Sequence, residues 1–194
     1  MNPIEKLARA QALISAAMYD VGQSAEPVAG EPAAPDVVFG DFRLSARSLE
    51  RLEGVHVDMR AVVEYAIRVS PVDFGIPKTG GLRDIELQGK LMDSGKSKTL
   101  RSRHLTGHAV DIYAYVDGAA SWHIPHVMAV HGAFEQASEA LAVPLRWGGD
   151  WDRDGQPRER GEDDLVHHEL PRGDYGTDSE SRSELAAAFL RGLS

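Results

Sequence analysis

Residues 102–111 read Ser-Arg-His-Leu-Thr-Gly-His-Ala-Val-Asp and hold the densest metal-binding chemistry in the chain. His104 and Asp111 stand seven residues apart, with Gly107 between them. A turn at Gly107 folds the chain back, so that one imidazole and one carboxylate reach the same ion. These are the zinc ligands expected where thiolate is unavailable. The chain contains no cysteine, which excludes disulfides, thiolate metal sites and Cys nucleophiles. A third donor is read in Asp164-Leu165-Val166-His167-His168-Glu169-Leu170. On a strand His167 and His168 point to opposite faces, so one or the other can face the metal. Asp164, at the mouth of such a site, can act as general base toward an attacking water. Three protein ligands with a fourth position left for water is the plan of a catalytic zinc site.

The surrounding elements must bring these two segments together. Ser45 to Leu52 reads as a short helix, and Asp58 is placed to cap a second through Ile67, with Met59, Val62, Val63, Tyr65 and Ala66 as its apolar residues. Val72–Ile76 reads as a strand. Asp84 opens a helix carrying Leu87, Leu91 and Met92 that ends at Gly95. Ala109–Val116 is one β-rich run, and Pro125 sits in the first turn of a long amphipathic helix to Ala142. Leu145–Trp147 and Val166–Leu170 read as short strands, and Ser183–Leu193 as a closing helix. Helices mixed with short strands imply an α+β domain over residues 37–194, a small antiparallel sheet flanked by helices. Residues 1–36 form a separate arm: helical spacing over 3–20, then an Ala/Pro/Gly/Glu-rich linker.

Composition narrows the function. The chain has 194 residues and a formal charge of −9. That argues against a nucleic-acid partner, which calls for a basic face. No apolar run reaches the roughly 20 residues of a membrane helix. The N-terminus lacks the pattern of a signal peptide, so the expected protein is made in the cytoplasm and acts elsewhere only after release. Nothing in the sequence calls for an oligomer, and a monomer is expected. Asp150, Asp152 and Asp154 alternate before Gly155 like the start of a calcium loop. The bidentate Glu of such a loop, due at its twelfth position, is replaced by Gly161. The segment therefore reads as a solvated acidic turn, with calcium the weaker alternative. His123, His126 and His131 lie in or beside the long helix without a carboxylate at ligand spacing, His56 reads as a loop residue, and Trp147 and Trp151 as packing residues, with stacking on sugar or peptide the weaker alternative.

These motifs resemble peptidase family M15, which groups zinc D-Ala-D-Ala carboxypeptidases with phage L-alanyl-D-glutamate endopeptidases. Its first motif, Ser-x-His-x-x-Gly-x-Ala-x-Asp, is matched by Ser102, His104, Gly107, Ala109 and Asp111. Its second, an acidic residue followed three positions later by His, is matched by Asp164 and His167 and continued by Glu169 and Leu170. The resemblance selects His167 over His168, where the family commonly carries an aromatic residue. Gly81-Leu82-Arg83 with Gln88 resembles the segment whose arginine steadies the substrate carbonyl. Ser97–Leu100 and Trp147–Trp151 resemble the endolysin branch.

The resemblance implies a hedgehog/D-Ala-D-Ala-peptidase-like zinc site of His104, Asp111 and His167. Asp164 and Arg83 are its catalytic residues, and Ser102, His108 and Gln88 its substrate-binding residues. The implied substrate is the peptidoglycan stem peptide, cut between L-Ala and D-Glu. Alternatives are a D,D-carboxypeptidase of the same family, a non-catalytic zinc-containing wall-binding module, and a structural component in which the arm is the working part.

Overall fold

Helix α2 (Val57–Val69) is the element around which the core is built. One of its faces buries Met59, Val62, Val63 and Ala66 completely. Each of the Met and Val side chains taken out of water contributes about 1.5–3 kcal/mol before entropy is counted. The computed structural model of the protein describes residues 40–155, 163–178 and 180–193. The expected N-terminal helix and linker lie outside these residues.

In chain order the other helices are α1 (Ala46–Arg51), α3 (Ile85–Asp93), a 3-10 turn (Arg103–Thr106), α4 (Ile124–Leu141) and α5 (Glu184–Arg191). Helix α4 runs antiphase to water: Val127, Val130, Phe134, Ala137 and Leu141 recur at helical spacing and are buried. Together with Ala186 and Phe189 of α5 they close the core over α2. Pro125 lies in the first turn of α4, where its missing N–H has no partner to lose.

Six short strands form two antiparallel sheets, which bears out the α+β expectation. One orders β1 (Asp73–Gly75), β3 (Tyr113–Val116) and β4 (Ala119–Ser121). The other orders β2 (Ala109–Asp111), β6 (His167–Glu169) and β5 (Arg146–Trp147). The run 109–116, expected as one strand, is thus divided between two sheets. Ile112 is the break: buried, it donates its N–H to Val166 O at 3.0 Å, after which the chain leaves β6 for β1.

A second difference concerns α2. Its N-cap is His56, expected in a loop, whose Nδ1 accepts from Asp58 N at 3.1 Å. Asp58 is fully buried instead and accepts from Tyr175 Oη (2.7 Å), Ser181 Oγ (2.5 Å) and Arg182 N (2.7 Å). A carboxylate with three donors is well compensated for burial. It therefore ties the C-terminal segment to the first turn of α2 rather than capping the helix. Among the described residues, no helix is long and apolar enough to cross a membrane.

Candidate functional site

Strand pairing brings the two motifs together. In the β2–β6 ladder Asp111 lies opposite His167, Val110 opposite His168 and Ala109 opposite Glu169. Directly opposed residues project from the same face of a sheet. Asp111, His167 and Glu169 therefore share one face, and His168 projects from the other. His104 arrives from the 3-10 turn, whose first N–H groups are capped by Ser102 Oγ at 3.3 Å from His104 N. Gly107 ends that turn at φ +71°, and a Cβ there would lie 2.3 Å from Gly54 O. Only glycine allows both the left-handed turn and this backbone approach.

His104 Nε2 lies 3.1 Å from Asp111 Oδ1 and 3.2 Å from His167 Nδ1, and His167 Nδ1 lies 2.9 Å from the same carboxylate oxygen. Three potential ligand atoms thus face one point. Each residue is also held from behind. His104 Nδ1 donates to Gly81 O at 2.8 Å, which leaves Nε2 with its lone pair toward the cluster. His167 Nε2 is 3.2 Å from Glu169 Oε2, and Glu169 is held in turn by Arg146 at 3.3 Å. Arg83 pairs with Asp111 Oδ2. Such outer partners fix ring orientation and raise ligand basicity in metal sites. The donor set of two imidazoles and one carboxylate fits zinc.

Burial opposes ionisation of Asp111, but the charge and hydrogen bonds of His104 and His167 outweigh it and hold the carboxyl well below the usual range. Burial likewise disfavours protonated His167, yet hydrogen bonds to Asp111 and Glu169 raise it to about 9. Asp164 lines the same cleft. It keeps exposed surface, but protein atoms crowd its carboxyl. Lost hydration first, and the charge of Asp111 second, push its pKa up.

The remaining expected site residues separate into two groups. Arg83 and Ser102 line the cleft. Arg83 is held there by Thr79 O at 2.6 Å and by Gln88. Gln88 is not free to meet substrate: it is fully buried, and its amide donates to Ser97 Oγ and Thr99 O, both at 2.7 Å. It positions Arg83 and the 97–99 loop. His108 is buried away from the cleft, beside His56 (ring centroids 4.8 Å apart) and Tyr175, with Nδ1 2.7 Å from Thr106 O. Neither lines the cleft in this structure, and both make their contacts within the fold.

His168, left open in the sequence, stacks on Phe134 (4.1 Å) and lies 3.2 Å from His131 Nδ1. Trp147 stacks on His131 at 3.7 Å and so packs as expected. Trp151 instead lines the cleft 5.5 Å from the His167 ring, under the guanidinium of Arg146.

Three supporting residues have no role assigned from the sequence. Glu169 carried a signal, two residues beyond His167 on a strand and hence on its face. Arg146 carried none. Buried Arg103 donates to Leu170 O (3.0 Å), Tyr175 O (3.3 Å) and Gly176 O (2.8 Å), which anchors β6 and the following segment beside the ligand turn. In the turn after β5, the carboxylates of Asp150, Asp152 and Asp154 come within 4.8 Å of one another. Asp150 spends oxygens on Asp154 N (3.3 Å) and Gly155 N (3.0 Å) of its own turn. Gly161 falls outside the described residues.

Comparisons with known proteins point the same way. The family model for phage L-alanyl-D-glutamate peptidase matches residues 40–170. The L-alanyl-D-glutamate peptidase of Escherichia phage T5 is 31% identical over 138 residues, covering 69% of this chain and 93% of the relative. The crystal structure of the Serratia marcescens L-Ala D-Glu endopeptidase is similar at a TM-score of 0.59 and 36% identity, covering 70% of this chain and 95% of that one.

Proposed function

The chain belongs to the phage L-alanyl-D-glutamate peptidase family, and on that premise we propose that it is a zinc peptidase cutting the L-Ala–D-Glu bond of peptidoglycan stem peptides. The observation that carries this reading is the convergence of His104 Nε2, Asp111 Oδ1 and His167 Nδ1 within 3.2 Å of one another, each held from behind. His104, Asp111 and His167 would hold the metal.

Bound zinc would supply a Lewis acid that polarises the scissile carbonyl and makes water a nucleophile near neutral pH. The chain's own residues do the rest. Asp164, its proton affinity raised by its surroundings, accepts a proton from the attacking water and delivers it to the departing D-Glu nitrogen. One C–O bond forms, one C–N bond breaks, and the proton moves with the leaving amine. Arg83, fixed in the cleft, offers a cation to the oxyanion developing on the carbonyl. Glu169 and Gly81 keep the two imidazoles in the orientation that faces the centre.

The test is digestion of purified muropeptides with and without a chelator, read by mass spectrometry. The expected products end in L-Ala and begin with D-Glu, vanish on chelation and return with zinc. Release of terminal D-Ala would assign the D,D-carboxypeptidase reading instead. Retention of zinc without any cleavage would assign the binding-module reading.

A further inference from the structure

The cleft has a charge opposite to that of the chain. The whole protein carries −9, yet seven cationic side chains line the cleft against four carboxylates. Several cations are already committed: Arg83 to Asp111, Arg146 to Glu169 and Trp151 O, Arg103 to the carbonyls of 170–176. Arg101 and Lys96 differ. Both are exposed, and neither side chain has a hydrogen bond or ion pair among the described residues. Arg172 is exposed as well and gives one N–H to Arg101 O, which sets it against Arg101 with donors to spare. Guanidinium forks with donors to spare in one cleft match a carboxylate.

The substrate class supplies one. A D-Glu joined onward through its γ-carboxyl keeps its α-carboxylate free, on the carbon bearing the scissile nitrogen. Asp163 and Asp164 line the same cleft and repel that group, which leaves the arginine side as its place. We propose that Arg101 and Arg172, with Lys96 beside them, form an anion subsite for this α-carboxylate, so that the protein favours D-Glu stems over α-amidated D-isoglutamine stems. The proposal rests on the L-Ala–D-Glu reading above. An amide in the subsite forfeits the ion pair and leaves the forks with a neutral partner, at a cost of about tenfold in kcat/KM.

The experiment uses the full, zinc-loaded chain and two disaccharide-tripeptide muropeptides that differ only in D-Glu or D-isoglutamine. The D-Glu substrate is expected to be cut with about tenfold higher kcat/KM, carried by KM and shrinking with added salt. In the double variant Arg101→Gln/Arg172→Gln the preference disappears. In Arg47→Gln/Arg60→Gln, an equal charge change at exposed positions of α1 and α2 outside the cleft, it persists. Equal kcat/KM for the two substrates in the unmodified protein overturns the subsite, as does an undiminished preference in the double variant. Loss of zinc from the double variant would assign the pair to structural support and also overturn it. Cleavage of both substrates at another bond would instead overturn the reading of the bond itself.

Discussion

The two faces of the β2–β6–β5 sheet carry the same residue type to opposite ends. His167 and His168 are chain neighbours, and both are buried. His167 meets Asp111 and Glu169, which raise its pKa to about 9 against the cost of burial. His168 meets Phe134 and His131. Burial first, and its neighbours His131 and His167 second, hold it well below the ordinary value of 6.5. Its Nδ1 has no hydrogen-bond partner within the described structure. The pleat alone decides which imidazole faces Asp111 and His104 and which packs against Phe134. Burial is shared, so it is the company of carboxylates that separates a reactive face from an inert one.

The sharpest way to break this contrast is to remove each histidine in turn. His167→Ala is expected to lose bound zinc and at least about a thousandfold in activity, because a two-ligand site does not retain the metal. His168→Ala is expected to keep zinc stoichiometry and lose about 2–4 kcal/mol of stability through the cavity left beside Phe134. Metal analysis and thermal unfolding separate the two, and zinc loss from the His168 variant would erase the distinction. Asp164→Asn tests the same face without touching a ligand. Zinc should remain, with turnover down about 10²–10⁴-fold, and near-native turnover would remove Asp164 as the base.

Glu169→Gln reaches the metal face from behind. It weakens the acceptor that orients His167, and zinc affinity is expected to fall about 10–100-fold by competition with a chelating dye. An unchanged affinity would mean that Asp111 alone sets the His167 ring.

The smallest effects are in pH. His131, on the inert face, is lowered by burial to about 4 from 6.5. The unfolded chain therefore binds more protons as pH falls below about 6.5, and the melting temperature should decline from there toward pH 4. His167 acts in the opposite sense. Its contribution to the metal-free protein is complete below about 6.5 and is lost as pH rises through about 9. A metal must displace that proton, so zinc affinity should rise over the same window. Thermal scans with and without chelator across pH 4 to 9 read both trends.

The supporting residues show where sequence reading stops. Gln88 and His108 sit inside or beside recognisable motifs, and their spacing is equally compatible with substrate contact. Only the fold shows that Gln88 spends its amide on Ser97 and Thr99, and that His108 turns toward His56 and Tyr175. An aromatic beside glycines carries no directional information, so the sequence around Trp151 is compatible with packing and with stacking on substrate alike. Its place beside His167 follows from the turn after β5. Arg146 and Arg103 give no local signal for this support, since Glu169 and Leu170, which they hold, lie 23 and 67 residues away.

The sequence by itself determined the chemistry: the absence of cysteine, the spacing of His104, Gly107 and Asp111, the acidic residue ahead of a His pair, and the periodicity of the helices that form the core. These are short-range properties, written in residue type and interval. Tertiary structure decided which side of β6 faces Asp111, what holds each ligand from behind, and how an acidic chain comes to enclose a cationic cleft. Those depend on pairing between segments more than fifty residues apart. That register is set by burying the His168 face of the sheet against Phe134 and His131 of α4, which leaves Asp111 and His167 together on the other face.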